Sequence, residues 1–179
     1  MLPIILPSAK LFNEATEEYV YVPQVTLKFE HSLISLSKWE SKWHRSYLNA
    51  SSYTTEEFMD YMRCMSLDPN VDMQTLKRLT RSDINTIMEY MRNPMTATTF
   101  SKLKSQSRKG PIITAEIIYY WMISFDIPFE CEKWHLNRLL TLIEVCSRKQ
   151  NPEKLSKREA AMMRAAANEA RRKQLGSKG

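Results

Sequence analysis

Two strongly apolar segments that meet at a proline, within residues 112–146, constrain the fold of this chain most. Thr114 is a good N-cap for a helix over the first segment, and Pro128 is expected to end that helix and begin the second, because residues preceding a proline avoid the α region. The apolar residues of the first segment recur at helical spacing: Ile117, Ile118, Trp121 and Phe125. Those of the second are Trp134, Leu136, Leu139, Leu140, Leu142, Ile143 and Cys146. An α-hairpin this apolar must be covered by the rest of the chain or by a partner.

Residues 1–30 have a different pattern, which is typical of strands. Val25, Leu27 and Phe29 alternate with polar residues, and three prolines among these residues favour short or edge strands. We therefore expect a small N-terminal β-hairpin or arm over residues 1–30. It is expected to pack on the helices of its own chain or to pair with a neighbouring subunit.

From residue 31 the apolar spacing becomes helical and predicts a helical body over residues 31–152. Helices are expected over residues 32–47, from Thr54 or Thr55 onward, near residues 73–79 and over 82–91, with an exposed polar loop at 101–110. Residues 153–179 follow as a basic, Ala-rich helical tail. The predicted fold class is mainly α, a helical bundle with a small N-terminal β-hairpin or arm and a C-terminal basic helix.

Positive charge is concentrated in that tail. Residues 153–179 hold eight Lys and Arg against three Glu, so they carry +5 of the net charge of +6 and leave the body nearly neutral. Arg171, Arg172 and Lys173 are the candidate tail contacts. No aromatic residue lies among these charges to stack on bases, so nucleic-acid binding is less favoured than a solvated or protein-contacting tail.

Composition excludes several classes of protein. The three glycines, at 110, 176 and 179, rule out a Gly-rich phosphate loop. No apolar run is long enough for a membrane span, and the first residues lack the basic region of a signal peptide. The odd set Cys64, Cys131 and Cys146 fits a reducing compartment better than a disulfide framework.

No arrangement of residues indicates catalysis, so we expect no enzyme, no cofactor and no metal site. His31, His44 and His135 lie in separate segments, and none is near a recognisable nucleophile. Cys131 and His135 have i, i+4 spacing and could supply half of a metal site. The favoured interpretation is that Cys131 packs in the core and His135 forms a hydrogen bond.

Methionine is abundant, with eleven residues, and its flexible side chain suits an adaptable binding surface. The structural alternative is a loosely specified core. The candidate protein-binding residues are Met62, Met65, Met88, Met91, Trp121, Trp134, Leu139 and Leu140.

Several phrases together resemble a widespread family of tailed-bacteriophage proteins. They are EHSLISLSKWESKW (30–43), PMTATTF (94–100), the apolar hairpin ITAEIIYYWMI…IPFECEKWHLNRLLTLIEVC, and the ending SKREA…NEARRKQLGSKG. Family members resemble tail assembly chaperones, which act between the tail-tube protein and the tape-measure protein. The resemblance implies a chaperone in the host cytoplasm that keeps helical tape-measure segments soluble. The N-terminal arm adds self-association as an open expectation, and the lack of a long apolar run predicts no membrane partner.

Two other functions remain open on the sequence. A structural virion component (a connector, tail or baseplate protein) would use the β-arm between subunits and would stay in the particle. A small phage nucleic-acid-binding protein would depend on the charge of the tail alone.

Overall fold

The computed structural model describes residues 1–13, 17–100 and 112–150. Four strands come first: β1 (Leu2–Leu6), β2 (Ala9–Asn13), β3 (Glu18–Val22) and β4 (Val25–Phe29). β1 pairs antiparallel with β4, and β2 pairs antiparallel with β3, so the described residues contain two two-stranded sheets. The chain thus runs outward along β1 and β2 and returns along β3 and β4.

The sheet of β1 and β4 belongs to the core. Ile4 and Leu6 of β1 and Leu27 and Phe29 of β4 are buried, whereas the alternate residue Ile5 is exposed. One face of this sheet therefore packs against the protein and the other faces solvent. The free edge of β4 is covered by residues 66–67, which follow a helix: Ser66 forms a β-bridge with Phe29, and Leu67 N–H donates to the carbonyl of Lys28 at 2.8 Å.

These contacts make the predicted fold class wrong. The protein has a mixed α+β fold with two small antiparallel sheets, and it is not a helical bundle with an appended arm. The alternation at Val25–Phe29 correctly indicated strand β4. Of the two expectations for residues 1–30, packing on the helices of the same chain holds for the sheet of β1 and β4, whose inward face belongs to the main core.

Six α-helices follow in the described residues. They are α1 (Leu33–Trp43), α2 (Thr55–Met65), α3 (Met73–Leu76), α4 (Arg81–Arg92), α5 (Ala115–Ser124) and α6 (Leu136–Gln150). Capping boxes begin two of them, Thr54 with Glu57 at α2 and Thr80 with Asp83 at α4. The predicted start of a helix at Thr54 or Thr55 is thus confirmed, with Thr54 as the N-cap.

Helix α1 lies at the centre of the fold. It packs against α2, α5 and a 3-10 helix (Phe129–Lys133), while α4 packs near β1. Leu33, Leu36 and Trp39 of α1 are fully buried. The helix ends at Trp43, earlier than predicted, because His44 adopts a left-handed conformation with φ of 51°.

The α-hairpin predicted around Pro128 is partly wrong. α5 ends as expected before Pro128, and Asp126 has a left-handed φ of 52°. Pro128, however, begins the 3-10 helix, and α6 starts only at Leu136. The delay has a tertiary cause, since His135 forms a β-bridge with Ser32 and Leu136 N–H donates to the carbonyl of His31 at 2.7 Å.

The N-terminus of α5 is capped by a residue of α1. Thr114 occupies the predicted N-cap position, but its side chain makes no capping hydrogen bond. The buried carboxylate of Glu40 replaces it, accepting from Ala115 N–H at 2.7 Å and from Tyr47 N–H at 2.8 Å. Burial raises the pKa of Glu40, and the two backbone hydrogen bonds oppose that rise.

The chain divides by its contacts into Met1–Glu144 and Val145–Gly179. Of the second unit, the described residues are the last turns of α6. The predicted loop at 101–110, the basic tail over 153–179 and its candidate contacts Arg171, Arg172 and Lys173 lie outside the described residues.

No helix in the described ranges combines the length and the apolar character that crossing a bilayer requires.

Candidate protein-binding groove

An open groove of about 680 Å³ lies between the N-terminal half of α2 and the C-terminal half of α4. Residues of the loop between α1 and α2 and of the start of α6 complete its lining. Its lining residues are His31, Tyr47, Leu48, Tyr53, Thr54, Thr55, Phe58, Met88, Met91, Arg92 and Asn137. This volume falls within the usual range of ligand pockets in proteins.

Methionine forms one wall of the groove. Met88 and Met91 are three residues apart on α4, so they project from the same side of the helix, and both are half-buried. Phe58 of α2 lines the groove with them and is also half-buried. The wall is therefore apolar, partly open to solvent and made of side chains that adapt to irregular partners.

Two stacked tyrosines, Tyr47 and Tyr53, form another part of the groove lining. Tyr47 stacks on the fully buried Tyr61 with ring centroids 3.7 Å apart, and Tyr53 stacks on Tyr47 at 4.8 Å. The hydroxyl of Tyr53 also donates to the carbonyl of Tyr47. Because Tyr61 belongs to the core, this stack fixes the loop of residues 44–54 to the body of the protein.

Arg45 holds the same loop from outside. Its guanidinium lies 5.7 Å from the ring centroid of Trp39 and 5.8 Å from that of Tyr53. It also makes a 3.0 Å ion pair with the buried carboxylate of Glu57 and donates to the carbonyl of Ser52 at 2.7 Å. The loop is thus ordered before any partner arrives, which lowers the entropic cost of binding.

Asn137 fixes the Met-lined helix relative to α6. Its amide nitrogen donates to the carbonyls of Met91 at 2.9 Å and Asn93 at 2.8 Å, which satisfies the C-terminus of α4. Arg92 lies at the rim and is exposed. An apolar groove with a cationic rim suits an amphipathic segment that carries an acidic residue beside its apolar face.

Three of the predicted protein-binding residues belong to the core instead. Met62, Met65 and Leu139 are fully buried, so a partner cannot contact them in this structure. Met62 and Met65 lie on the inward face of α2, and Leu139 on that of α6. Methionine content alone could not separate these residues from the groove methionines, because core and binding surfaces favour the same side chain.

Of the remaining candidates, Met88 and Met91 line the groove, whereas Trp121, Trp134 and Leu140 are half-buried elsewhere. The guanidinium of Arg138 covers the ring of Trp134 at 4.0 Å from its centroid. The predicted residues therefore do not form a single surface.

The remaining residues of the groove were missed by the sequence analysis. Tyr53 lies in a loop without apolar periodicity, and Phe58 is not among the predicted protein-binding residues. One sequence feature does point to this loop as part of a binding site: aromatic and small polar residues are dense immediately before the N-cap Thr54.

Two buried histidines lie at the base of this region. Their rings are 5.3 Å apart, and His31 itself lines the groove. The Nδ1 atom of His31 forms a 2.8 Å hydrogen bond with the hydroxyl of Tyr61, and burial raises the pKa of Tyr61 well above its usual value, so the phenol keeps its proton. Burial and the neighbouring His135 lower the pKa of His31 to about 3.

His135 is neutral because burial outweighs its hydrogen bond to a backbone carbonyl, which by itself would raise its pKa. Its Nε2 donates to the carbonyl of Tyr90 at 3.0 Å, and its Nδ1 accepts from Asn137 N–H at 3.3 Å. Burial lowers the pKa of His135. The prediction that His135 forms a hydrogen bond and that Cys131 packs in the core is confirmed. Within the described residues, no three His, Cys, Asp or Glu side chains are grouped closely enough to hold a metal ion.

Stability should therefore fall as the pH drops below about 6.5, the unfolded pKa of histidine. Between that pH and about 3, the unfolded chain binds a proton at His31 that the folded chain does not, and His135 acts in the same direction. We expect His31 alone to lower the free energy of unfolding by about 1 kcal/mol between pH 7.5 and 5.5. Urea denaturation at both pH values measures this change.

His31→Asn is the matched variant for that experiment, because its side-chain oxygen can still accept from Tyr61 but does not titrate. The variant should lose about 1 kcal/mol less stability than the wild-type protein over the same interval. Equal losses in the two proteins would contradict the assignment of a neutral His31.

No protein-family model, curated protein or solved structure matches this chain.

Proposed function

We propose that this protein is a tail assembly chaperone of a tailed bacteriophage, which binds helical tape-measure segments in the groove between α2 and α4. The preformed wall of Met88, Met91 and Phe58 is the observation that carries the proposal. On this proposal the protein acts in the host cytoplasm, before the tail tube has polymerised around the tape measure. The resemblance of the sequence to phage morphogenesis proteins supports the same role.

The chemistry of the groove supports a helical partner. Apolar side chains of an amphipathic helix, spaced at i, i+3 and i+7, can occupy a groove whose own wall is a helix with methionines three residues apart. Arg92 at the rim would attract an acidic residue on the polar side of that segment. Several copies along one tape-measure chain would make modest individual affinities sufficient.

The test is co-expression with the tape-measure protein encoded by the same phage. The wild-type chain should keep the tape measure in the soluble fraction, and Met91→Glu should reduce that fraction about tenfold, because an unpaired carboxylate is costly to bury in an apolar groove. Met73→Glu is the control, since Met73 is also half-buried but lies on α3 outside the groove lining. It should behave like the wild-type protein.

Mass spectrometry of gradient-purified virions separates a chaperone from a component of the particle. A chaperone should be absent or strongly substoichiometric, because its groove and the tube lumen compete for the same tape-measure surface. Recovery in a fixed ratio to the tail proteins would contradict the chaperone proposal.

A structural virion component is the second candidate, and the exposed sheet of β2 and β3 favours it. A strand pair with uncovered faces and edges is a common way for subunits of an assembly to join. On that proposal the protein would remain in the mature particle, and Met91→Glu would leave tape-measure solubility unchanged.

A further inference from the structure

The sheet of β2 and β3, here called the distal hairpin, exposes an unusual amount of apolar surface. Tyr19 is 73% exposed and Tyr21 64%, and Leu11 and Val20 on the other face are 41% and 46% exposed. In the described residues the two strands pair only with each other. An isolated two-stranded hairpin is only marginally stable in water, and pairing with a further strand would stabilise it. An exposed apolar surface of this kind is typical of an interaction site.

The distal hairpin is nevertheless fixed at its base. Pro7 and Pro23 separate it from the core sheet of β1 and β4, and Arg78 donates from one nitrogen to the carbonyls of both prolines, at 2.5 and 3.3 Å. Arg78 thus links the segment that enters the distal hairpin, at Pro7, to the segment that leaves it, at Pro23. The hairpin is thus presented to the surroundings in a defined position.

The four strands differ in how their free edges are protected. β1 carries Pro3, β2 carries Lys10 at its second residue, and the edge of β4 is paired with the backbone at Leu67. Proline, lysine and a covering segment are the usual devices against edge-to-edge pairing. β3, with the sequence EYVYV, has a charge only at its first residue and is rich in strand-forming side chains. Among these four strands, β3 therefore has the free edge with the least protection against pairing with another strand.

We infer that β3 pairs antiparallel with β3 of a second copy of this chain, with Val20 on the twofold axis. In this register Tyr19 lies opposite Tyr21 of the other copy and Glu18 lies opposite Val22. The two Glu18 side chains are then about 14 Å apart along the strands, so their repulsion is weak. A parallel in-register pairing would instead place Glu18 beside Glu18, which is unfavourable.

The pairing produces a four-stranded sheet in the order β2, β3, β3 and β2. Phe12 already contacts Tyr19 across the hairpin, with ring centroids 5.2 Å apart. The two copies together would align six aromatic rings on one face, from Phe12, Tyr19 and Tyr21 of each chain. Aromatic cross-strand pairs stabilise antiparallel sheets, and four strands exceed the number at which a sheet becomes stable by itself. This inference is independent of what the groove binds.

Cysteine cross-linking tests both the pairing and its register. Val20→Cys should form a disulfide-linked dimer under mild oxidation, because residues on the axis have Cα atoms about 4.5–5.5 Å apart. Leu11→Cys is the matched control: Leu11 lies opposite Val20 on the same face of the hairpin and is similarly exposed. It would be three strand spacings from its counterpart, about 14 Å, and should not cross-link. Cys146, the native cysteine that is not buried, is replaced by serine in both variants.

Sedimentation equilibrium of the unoxidised full chain provides the second measurement. The wild-type protein should have twice the chain mass of 21.1 kDa, and Tyr21→Lys should be a monomer. Tyr120→Lys, which alters an equally exposed tyrosine on α5, should remain a dimer. A monomeric wild-type protein, or cross-linking through Leu11→Cys in place of Val20→Cys, would overturn the inference.

Discussion

Replacing Leu139 by alanine should lower the free energy of unfolding by about 2–5 kcal/mol. Leu139 is fully buried on the inward face of α6, together with Leu136 and Ile143. The shorter alanine side chain buries less apolar surface on folding, and it leaves a cavity in a close-packed core. Both effects lower the free energy of unfolding. Urea denaturation, with the midpoint and the slope both recorded, measures the loss.

Leu140→Ala is the control for that substitution, since it removes the same atoms from a neighbouring residue that is half-buried. Its cost should be clearly smaller, below about 1.5 kcal/mol, because less surface is re-exposed and no closed cavity forms. A similar loss in both variants would show that the inward face of α6 is assigned wrongly. The comparison also separates a core role for Leu139 from the protein-binding role that its sequence pattern predicted.

Replacing Glu40 by alanine should lower the free energy of unfolding by about 2–6 kcal/mol, mainly because hydrogen bonds are lost. The carboxylate accepts from the backbone of Ala115 and of Tyr47, and it joins α1, the start of α5 and the loop of residues 44–54. Without it two buried N–H groups lose their acceptor, and each unsatisfied donor costs about 1–3 kcal/mol. The free energy of unfolding should fall accordingly.

Amide hydrogen exchange gives a residue-specific test of the same role. The amides of Ala115 and Tyr47 should exchange faster in Glu40→Ala, because their acceptor is gone. Glu40→Gln keeps one acceptor oxygen and should lose about half as much stability. Glu116→Ala is the control: this exposed residue in the first turn of α5 should cost less than about 1 kcal/mol, through the helix dipole alone. Unchanged exchange at both amides in Glu40→Ala would contradict the capping role.

Local features were predictable from the sequence, since their causes lie within a few residues. The alternation at Val25–Phe29 predicted strand β4, and Thr54 and Thr55 predicted the start of α2. The positions of most helices in the body followed from apolar residues repeating every three or four positions. In each case the residue and the element that it forms are neighbours in the chain.

The fold class was not predictable in the same way. Counting helical and strand-like segments favoured a bundle, whereas the packing of the β1 and β4 sheet beneath the helices makes the fold α+β. The second apolar helix was likewise placed too early. Hydrogen bonds to residues 31–32, about a hundred positions away, keep residues 134–135 extended and delay α6.

The groove shows the same division between local and distant causes. The sequence by itself determined that Met88 and Met91 share a side of α4, because the helical repeat requires it. Whether a methionine faces solvent or the core was decided by the tertiary structure, which buries Met62 and Met65 and leaves Met88 and Met91 in an open groove. Helical periodicity determines which residues share a face of a helix, but the packing of other helices and strands determines which face is buried. For the same reason the sequence did not predict that Glu40 caps α5, because this role depends on a hydrogen bond to a residue 75 positions away.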